Sequence, residues 1–549
     1  MGSNAIGAAF AALLAMSGCG RAPEAPADAP PVPDLSDHDI ARLQRAMQDG
    51  TLDSRRITQW ALNRIAALDD AGPMLNAVVA TNPDALAIAD TLDAERRAGK
   101  LRGPLHGIPV LLKDNIDTGD KQLTTAGSLA LAGAPAPRDS EVARRLRAAG
   151  AVILGKANLS EWANIRSTRS TSGWSAVGGL TRNPHVLDRN ACGSSSGSGV
   201  AVAAGMVVAA IGTETDGSIV CPASVNGVVG FKPTVGLVSR RGIVPVASSQ
   251  DTAGPMTRSV ADAAILLDAI SGSDAADPVT READARRGEF RLALDRASLR
   301  GRRIGVVRDH GGGGGEESKW ILDAAVATLR AQGAEVVDPV KLPRSSDYSE
   351  DELAVLLFEL KADLGAYLRE RGTATVASLA DVIAFNEREA AVEMPWFGQE
   401  LFLQAERDGG LDRAGYLAKR ARIRRLTGPQ GIDAALAAGR LDALVAITCG
   451  PAWVSDLVYG DNWNVSCSSS PAAIAGYPSA SVPGGFVDGL PVGVSFFAGA
   501  WQDARVLAIA HAFEQAHAAR KAPAYRPSVD SQQVAETAAS APWIRRRSP

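Results

Sequence analysis

Two serines and a lysine are the residues of this chain whose types and spacing suit the breaking of a polar bond. Gly193-Ser194-Ser195-Ser196-Gly197 and Thr215-Asp216-Gly217-Ser218 are small Gly/Ser-rich turns, separated by an apolar, Ala/Val-rich stretch. Such turns bring backbone N–H groups close to a ligand and leave hydroxyls uncovered. Upstream, Gly107-Ile108-Pro109-Val110-Leu111-Leu112-Lys113-Asp114 reads as a short apolar strand with a lysine at its end. A serine hydroxyl is a poor nucleophile until a base takes its proton, and a lysine can be that base only when neutral. The reference pKa of lysine is about 10.4, and burial against an apolar strand can lower it by up to ~3–5 units. Asp114 need not cancel that effect, because successive strand residues point to opposite faces. Consecutive N–H groups from Thr215 through Asp216 and Gly217 to Ser218 can converge on one point, as a tetrahedral oxyanion requires.

The stretch from Gly193 through Gly212-Thr213-Glu214-Thr215-Asp216-Gly217-Ser218 to Gly227-Val228-Val229-Gly230-Phe231-Lys232-Pro233-Thr234 resembles the amidase signature family of serine hydrolases. The resemblance runs from about residue 40 to about residue 520 and is nearest to the bacterial peptide amidases. It implies a Ser–Ser–Lys triad, with Ser218 as nucleophile, Ser194 as bridging relay and Lys113 as base. It also implies a cis peptide bond at Gly193–Ser194 and an oxyanion hole from the backbone of Thr215, Asp216, Gly217 and Ser218. The implied fold is α/β: one large domain whose central twisted mixed β-sheet is covered on both faces by α-helices. The implied reaction turns a carboxamide into a carboxylate and ammonia through an acyl-enzyme, with the C-terminal amide of a peptide as substrate. No cofactor, metal or obligatory protein partner is implied. Glu214, Asp216 and Val220 stand where the family usually has Asp, Gly and Arg. Backbone donors survive that change, and the Asp216 carboxylate bears on substrate selection instead.

Other readings remain at this stage. Lys156 in Gly155-Lys156-Ala157-Asn158 also follows a strand and is a rival base. Residues 193–197 match the G-x-S-x-G elbow of α/β-hydrolases. That elbow needs a preceding strand and a downstream histidine. No strand precedes Gly193, His310 adjoins a glycine run, and His511 and His517 fall on a terminal helix. Ser195 and Ser196 are read as ordering the loop through their hydroxyls. A non-catalytic binding homologue, an amidase of small aliphatic or aryl amides and the amidase subunit of an amidotransferase share the same core.

These residues need a scaffold of strands and helices. Ser36 or Asp37 is placed to cap a helix from about His38, carrying Ile40, Leu43 and Met47 on one stripe. A second helix follows Asp53. Buried strands are expected at 108–112, 151–154, 303–307, 441–447, 479–482 and 492–497, where short apolar runs occur. Helices are expected at 140–149, ended by Gly150, and at 260–270 and 506–517. Residues 280–300 are charged and read as peripheral. Segment 352–440 is mainly helical and suits a smaller lobe over a cleft. Gly311 to Gly315 lack the Gly-Lys-Ser/Thr of a phosphate loop and read as a mobile loop.

Within 549 residues, 57 basic side chains nearly balance 61 acidic ones, so no field draws in nucleic acid or an anionic membrane. Six histidines and five cysteines show no CxxC or HExxH spacing, which argues against a metal site. Ala5 to Met16 is an apolar run of signal-sequence length, too short to span a bilayer. Ser17-Gly18-Cys19 resembles a bacterial lipobox, although Met1 to Asn4 carry no Lys or Arg and Met16 stands where Leu is usual. Residues 1–19 therefore read as a signal with Cys19 as lipidation candidate, and 20–34 as a Pro/Ala tether. An ordinary cleaved signal or a remnant of expression is the alternative. The expected location is the periplasm, or its membrane surface, of a bacterium. Residues 35–525 form the catalytic domain, and 526–549 a polar tail expected to be disordered. Cys192 and Cys221 flank the candidate site. Apolar packing of free thiols is the expectation for them, with a disulfide as the alternative.

Overall fold

Runs of β-branched residues alternate with capped helices along the chain, and the runs assemble into one mixed sheet flanked by helices. The computed structural model describes residues 32–309, 316–372, 375–462, 467–529 and 544–545. The first six strands of this sheet are β1 (Val78–Thr81), β2 (Pro109–Lys113), β3 (Val152–Ala157), β4 (Ala209–Glu214), β5 (Val229–Lys232) and β6 (Thr252–Thr257). Then follow β7 (Arg303–Val307), β8 (Glu335–Val340), β9 (Ala443–Ile447), β10 (Ser479–Val487) and β11 (Leu490–Phe497). Their spatial order is β1-β3-β2-β4-β6-β5-β10-β11-β9-β7-β8. Strand β2 runs parallel to β3 and β4, and β7 parallel to β8 and β9. The strands between these two parallel groups pair antiparallel.

Strand β2 shows why a near-continuous apolar run marks this interior. All five of its residues are buried between parallel neighbours. Its register sets Leu112 against Ile211 of β4, which brings Lys113 to the level of Thr213. Strands β10 and β11 form a hairpin turned at Asp488-Gly489, both at positive φ. Ile544–Arg545, within the stretch read as a polar tail, pairs in parallel with the end of β10.

The first helix, Ile40–Gln48, begins later than expected. Asp39, not Ser36 or Asp37, accepts from the Arg42 N–H as its cap, while Ile40, Leu43 and Met47 are buried as expected. Residues 349–439 are helical in the main, led by the helix Ser349–Arg371. Leu357, Leu360, Leu364 and Leu368 of that helix pack with Phe402 of the same segment and with Trp162, Val244 and Val246 of the loops around the sheet. The lobe is thereby fixed beside the ends of β2 and β4. By internal contacts the chain divides after Asp34. The signal-like segment with Cys19, the glycine run with His310 and most of 530–549 lie outside the described residues.

Candidate active site

Lys113 reaches the site because β2 ends there. It is fully buried, and its Nζ donates to Ser194 Oγ at 2.7 Å, to Thr213 Oγ1 at 2.9 Å and to the Thr213 carbonyl at 3.2 Å. Burial pushes its pKa down to about 7, opposed by the carboxylates of Asp251 and then Glu214. The structure thus brings Lys113 and Ser194 together. The Gly193–Ser194 bond is cis. Ser194 is fully buried, whereas Ser218 is 8% exposed, so Ser218 is the more accessible of the two serines. Ser218 is tied to the same loop through its carbonyl, which accepts from the Ser195 N–H at 3.1 Å.

Glu214 holds the second turn in shape. Its buried carboxylate accepts from the N–H groups of Ile219 (2.7 Å) and Val220 (3.0 Å), at the start of helix Val220–Asn226. The end of β4 is therefore clamped to the start of the helix, and Thr215 to Ser218 must bulge between them. Gly217 takes φ +77° there, and among the described residues the N–H groups of Asp216, Gly217 and Ser218 donate to no protein acceptor. Three successive open donors beside a serine hydroxyl have the geometry with which a turn can receive an anion.

Asp216 meets a residue that sequence reasoning missed. Glu352, from the lobe helix, is buried beside it, and burial together with the Asp216 charge raises the Glu352 carboxyl well above its usual range. The carboxyl of Asp216 is likewise raised, chiefly by its own burial. Gln250 links the pair back to the turn, donating to Glu352 at 3.0 Å and to the Thr215 carbonyl at 3.2 Å. No local signal in the sequence around Glu352 announces this contact.

The rival base is engaged elsewhere. Lys156 Nζ donates to the Ile116 carbonyl (2.6 Å) and Thr124 Oγ1 (2.8 Å) and lies 3.6 Å from Asp114. Asp114 also accepts from the Thr125 hydroxyl and N–H, so it turns away from Lys113. Ser195 Oγ donates to the Thr213 carbonyl at 3.0 Å and Ser196 Oγ to the Cys192 carbonyl, so both order the loop.

The expectation of free, packing cysteines is corrected. Cys192 is joined to Cys221, and Cys449 to Cys467, in a shared apolar cluster with Val186 and Val225. The first bridge ties the loop before Ser194 to the helix after Ser218. Burial, which suggested packing alone, is equally a property of bridged cysteines.

A family model described as Amidase matches residues 56–507. The chain belongs to the amidase family. The solved peptide amidase of Stenotrophomonas maltophilia is similar at 52% identity and a TM-score of 0.85, over 89% of this chain and 99% of that one. A probable amidase of Arabidopsis thaliana is 42% identical over 497 residues, covering 88% of this chain and 91% of the plant protein. One subunit of the glutamyl-tRNA(Gln) amidotransferase of Symbiobacterium thermophilum is 37% identical over 505 residues, covering 88% of this amidase and 98% of that protein. This amidase is a hydrolase of amides, with the α/β fold of the peptide amidase structures.

Proposed function

We propose that this amidase hydrolyses the C-terminal carboxamide of short peptides through Ser218, Ser194 and Lys113. The observation that carries the reading is the 2.7 Å contact of buried Lys113 with Ser194 beside a turn with open N–H donors. Similarity to a peptide amidase at 52% identity supports the choice of substrate. Neutral Lys113 takes the proton of Ser194 Oγ while Ser194 takes that of Ser218, and the Ser218 Oγ–carbon bond forms. The oxyanion is received by the N–H groups of Asp216, Gly217 and Ser218. The carbonyl C–N bond then breaks as the proton returns through Ser194 to nitrogen, and ammonia leaves. Water attacks the acyl-enzyme through the same groups, releasing the carboxylic acid and restoring Ser218.

The test is a panel of amidated dipeptides, small aliphatic and aryl amides and glutamine, read by ammonia release and mass spectrometry. Amidated dipeptides are expected to gain about one dalton, the change from amide to acid, with no internal cleavage. Ammonia from glutamine alone would favour an amidotransferase-like role, and internal fragments would contradict the reading.

Export belongs to the same reading, through the signal-like residues 1–19 and a lipid on Cys19. Two disulfides support it, since such bonds persist mainly in oxidising compartments. No described helix is long and apolar enough to cross a membrane. Cys19→Ala is expected to move the protein from the membrane fraction to the soluble one, and equal partitioning of both forms would contradict the tether.

A further inference from the structure

The open N–H groups of the nucleophile turn point where their peptide planes send them. In a trans peptide the carbonyl of one residue and the N–H of the next point in opposite directions, so a partner on the carbonyl aims that N–H away from itself. The Gly217 carbonyl accepts from the Cys221 N–H at 2.8 Å, which aims the Ser218 N–H back out of the helix Val220–Asn226. Backbone alone makes that bond. The Thr215–Asp216 plane, also trans, is held differently. Among the described residues the Thr215 carbonyl accepts only from Gln250 Nε2, at 3.2 Å. One side chain therefore sets the direction of the Asp216 N–H.

Gln250 is itself fixed. It is 1% exposed, and both hydrogens of its amide nitrogen are spent, one on Thr215 and one on Glu352 Oε1 at 3.0 Å. The nitrogen rather than the oxygen must face Thr215, because a carbonyl only accepts. Gln250 Oε1 has no partner among the described residues, so the nitrogen is what anchors the amide. Glu352 belongs to the helix Ser349–Arg371, so the lobe backs this side chain. The next residue, Asp251, accepts from the Thr215 hydroxyl at 2.5 Å and from the N–H groups of Val246 and Ala247 at 2.8 and 2.9 Å. Two neighbouring side chains thus hold Thr215 by its two oxygens, and its plane cannot turn without breaking a bond.

We infer that Gln250 is a positioning residue for amide hydrolysis, holding the Thr215 carbonyl back so that the Asp216 N–H faces the oxygen of the attacked carbonyl. The inference rests on the oxyanion hole of the reading above and not on the choice of a peptide as substrate. The gain falls in the transition state, because that oxygen gathers charge only as the Ser218 Oγ–carbon bond forms. Gln250 stands behind the turn, so its loss misdirects a donor without removing a contact to the bound amide.

The experiment uses Gln250→Met, which keeps the length of the side chain and removes both N–H donors. The substrate is whichever amide of the panel above the wild-type enzyme turns over. kcat is expected to fall by about tenfold or more, short of the ~10²–10³-fold that follows outright loss of an oxyanion donor, while KM moves by less than about threefold. Affinity for the aldehyde analogue of that amide, whose adduct with serine places an oxygen in the hole, is expected to fall by the same factor as kcat/KM. A merely structural role would lower the melting temperature without this split. Glu352→Ala, which frees Gln250 without removing it, is expected to show the same split at smaller size, and it carries the test where Gln250→Met does not fold. Wild-type kcat in folded Gln250→Met overturns the inference, and so does a raised KM with kcat kept, or an unchanged affinity for the aldehyde. Turnover by Ser218→Ala removes the nucleophile reading and this inference with it. An inactive Ser218→Ala beside a fully active Gln250→Met removes this inference alone.

Discussion

Lys113 is the residue at which burial bears most directly on the proposed chemistry. Its pKa falls to about 7 because no water solvates the ammonium, and the carboxylates of Asp251 and Glu214 offset only part of that loss. As the proposed base Lys113 works in its neutral form, so activity is expected to rise as pH rises through about 7, measured as kcat/KM against pH. Lys113→Ala is expected to lower kcat by about 10²–10⁴-fold with the fold retained by circular dichroism. Near-normal turnover by that variant would remove Lys113 from the reaction. Gly193 gives a second test at this scale, because a Cβ there would lie 2.0 Å from Ser160 Oγ. Gly193→Ala is expected to destabilise by about 1–3 kcal/mol through overpacking and to lower kcat by displacing Ser194. Thermal melting and single-turnover rates check the two effects. The meeting of Lys113 with Ser194 was legible in the sequence because each sits in a short local pattern. Glu352 was not, because its role comes from packing against Asp216 across 136 positions of chain.

At the scale of elements, the second turn depends on Glu214 joining the end of β4 to the helix that follows Ser218. Removing its carboxylate leaves the Ile219 and Val220 N–H groups without an acceptor. Glu214→Ala is expected to destabilise by about 1–3 kcal/mol and to lower kcat more than it changes KM, since the open donors lose their aim. Glu214→Gln keeps an acceptor oxygen and is expected to recover part of both. An Ala variant with wild-type melting and kcat would contradict the clamp. The strands were unevenly readable. Runs such as Val110-Leu111-Leu112 and Val152-Ile153-Leu154 announce buried parallel strands, whereas Ala209–Glu214 is built from Ala, Gly and Thr around a single Ile. Its strand character comes from pairing with β2 and β6 on either side. The lobe helices were legible as helices, but not that Glu352 would meet the turn that carries Ser218.

Across the whole molecule, two disulfides tie together segments that meet at the site. Cys192–Cys221 closes 29 positions of chain around both serine turns. Cys449–Cys467 lies against it, with the sulfurs of Cys221, Cys449 and Cys467 within 4.8 Å of one another. Reduction by a dithiol is expected to lower stability by about 2–4 kcal/mol per bridge and to reduce activity, with Cys192→Ser reproducing the loss attributed to the first bridge. Differential alkylation and melting curves measure both, and equal melting of reduced and oxidised protein would contradict the tie. The pairing was beyond the sequence because four cysteines allow three connectivities. Only the fold, which brings the Cα atoms of Cys192 and Cys221 to 6.0 Å and those of Cys449 and Cys467 to 4.2 Å, decides among them.

The central claim is that Ser218 is the nucleophile and that Lys113 activates it through Ser194. A fluorophosphonate probe tests this most directly, followed by intact mass and peptide mapping of the labelled protein. One adduct per chain is expected, on Ser218, formed far more slowly in Lys113→Ala and absent in Ser218→Ala. An adduct on Ser194 or Ser195, or labelling that survives Ser218→Ala, would contradict it.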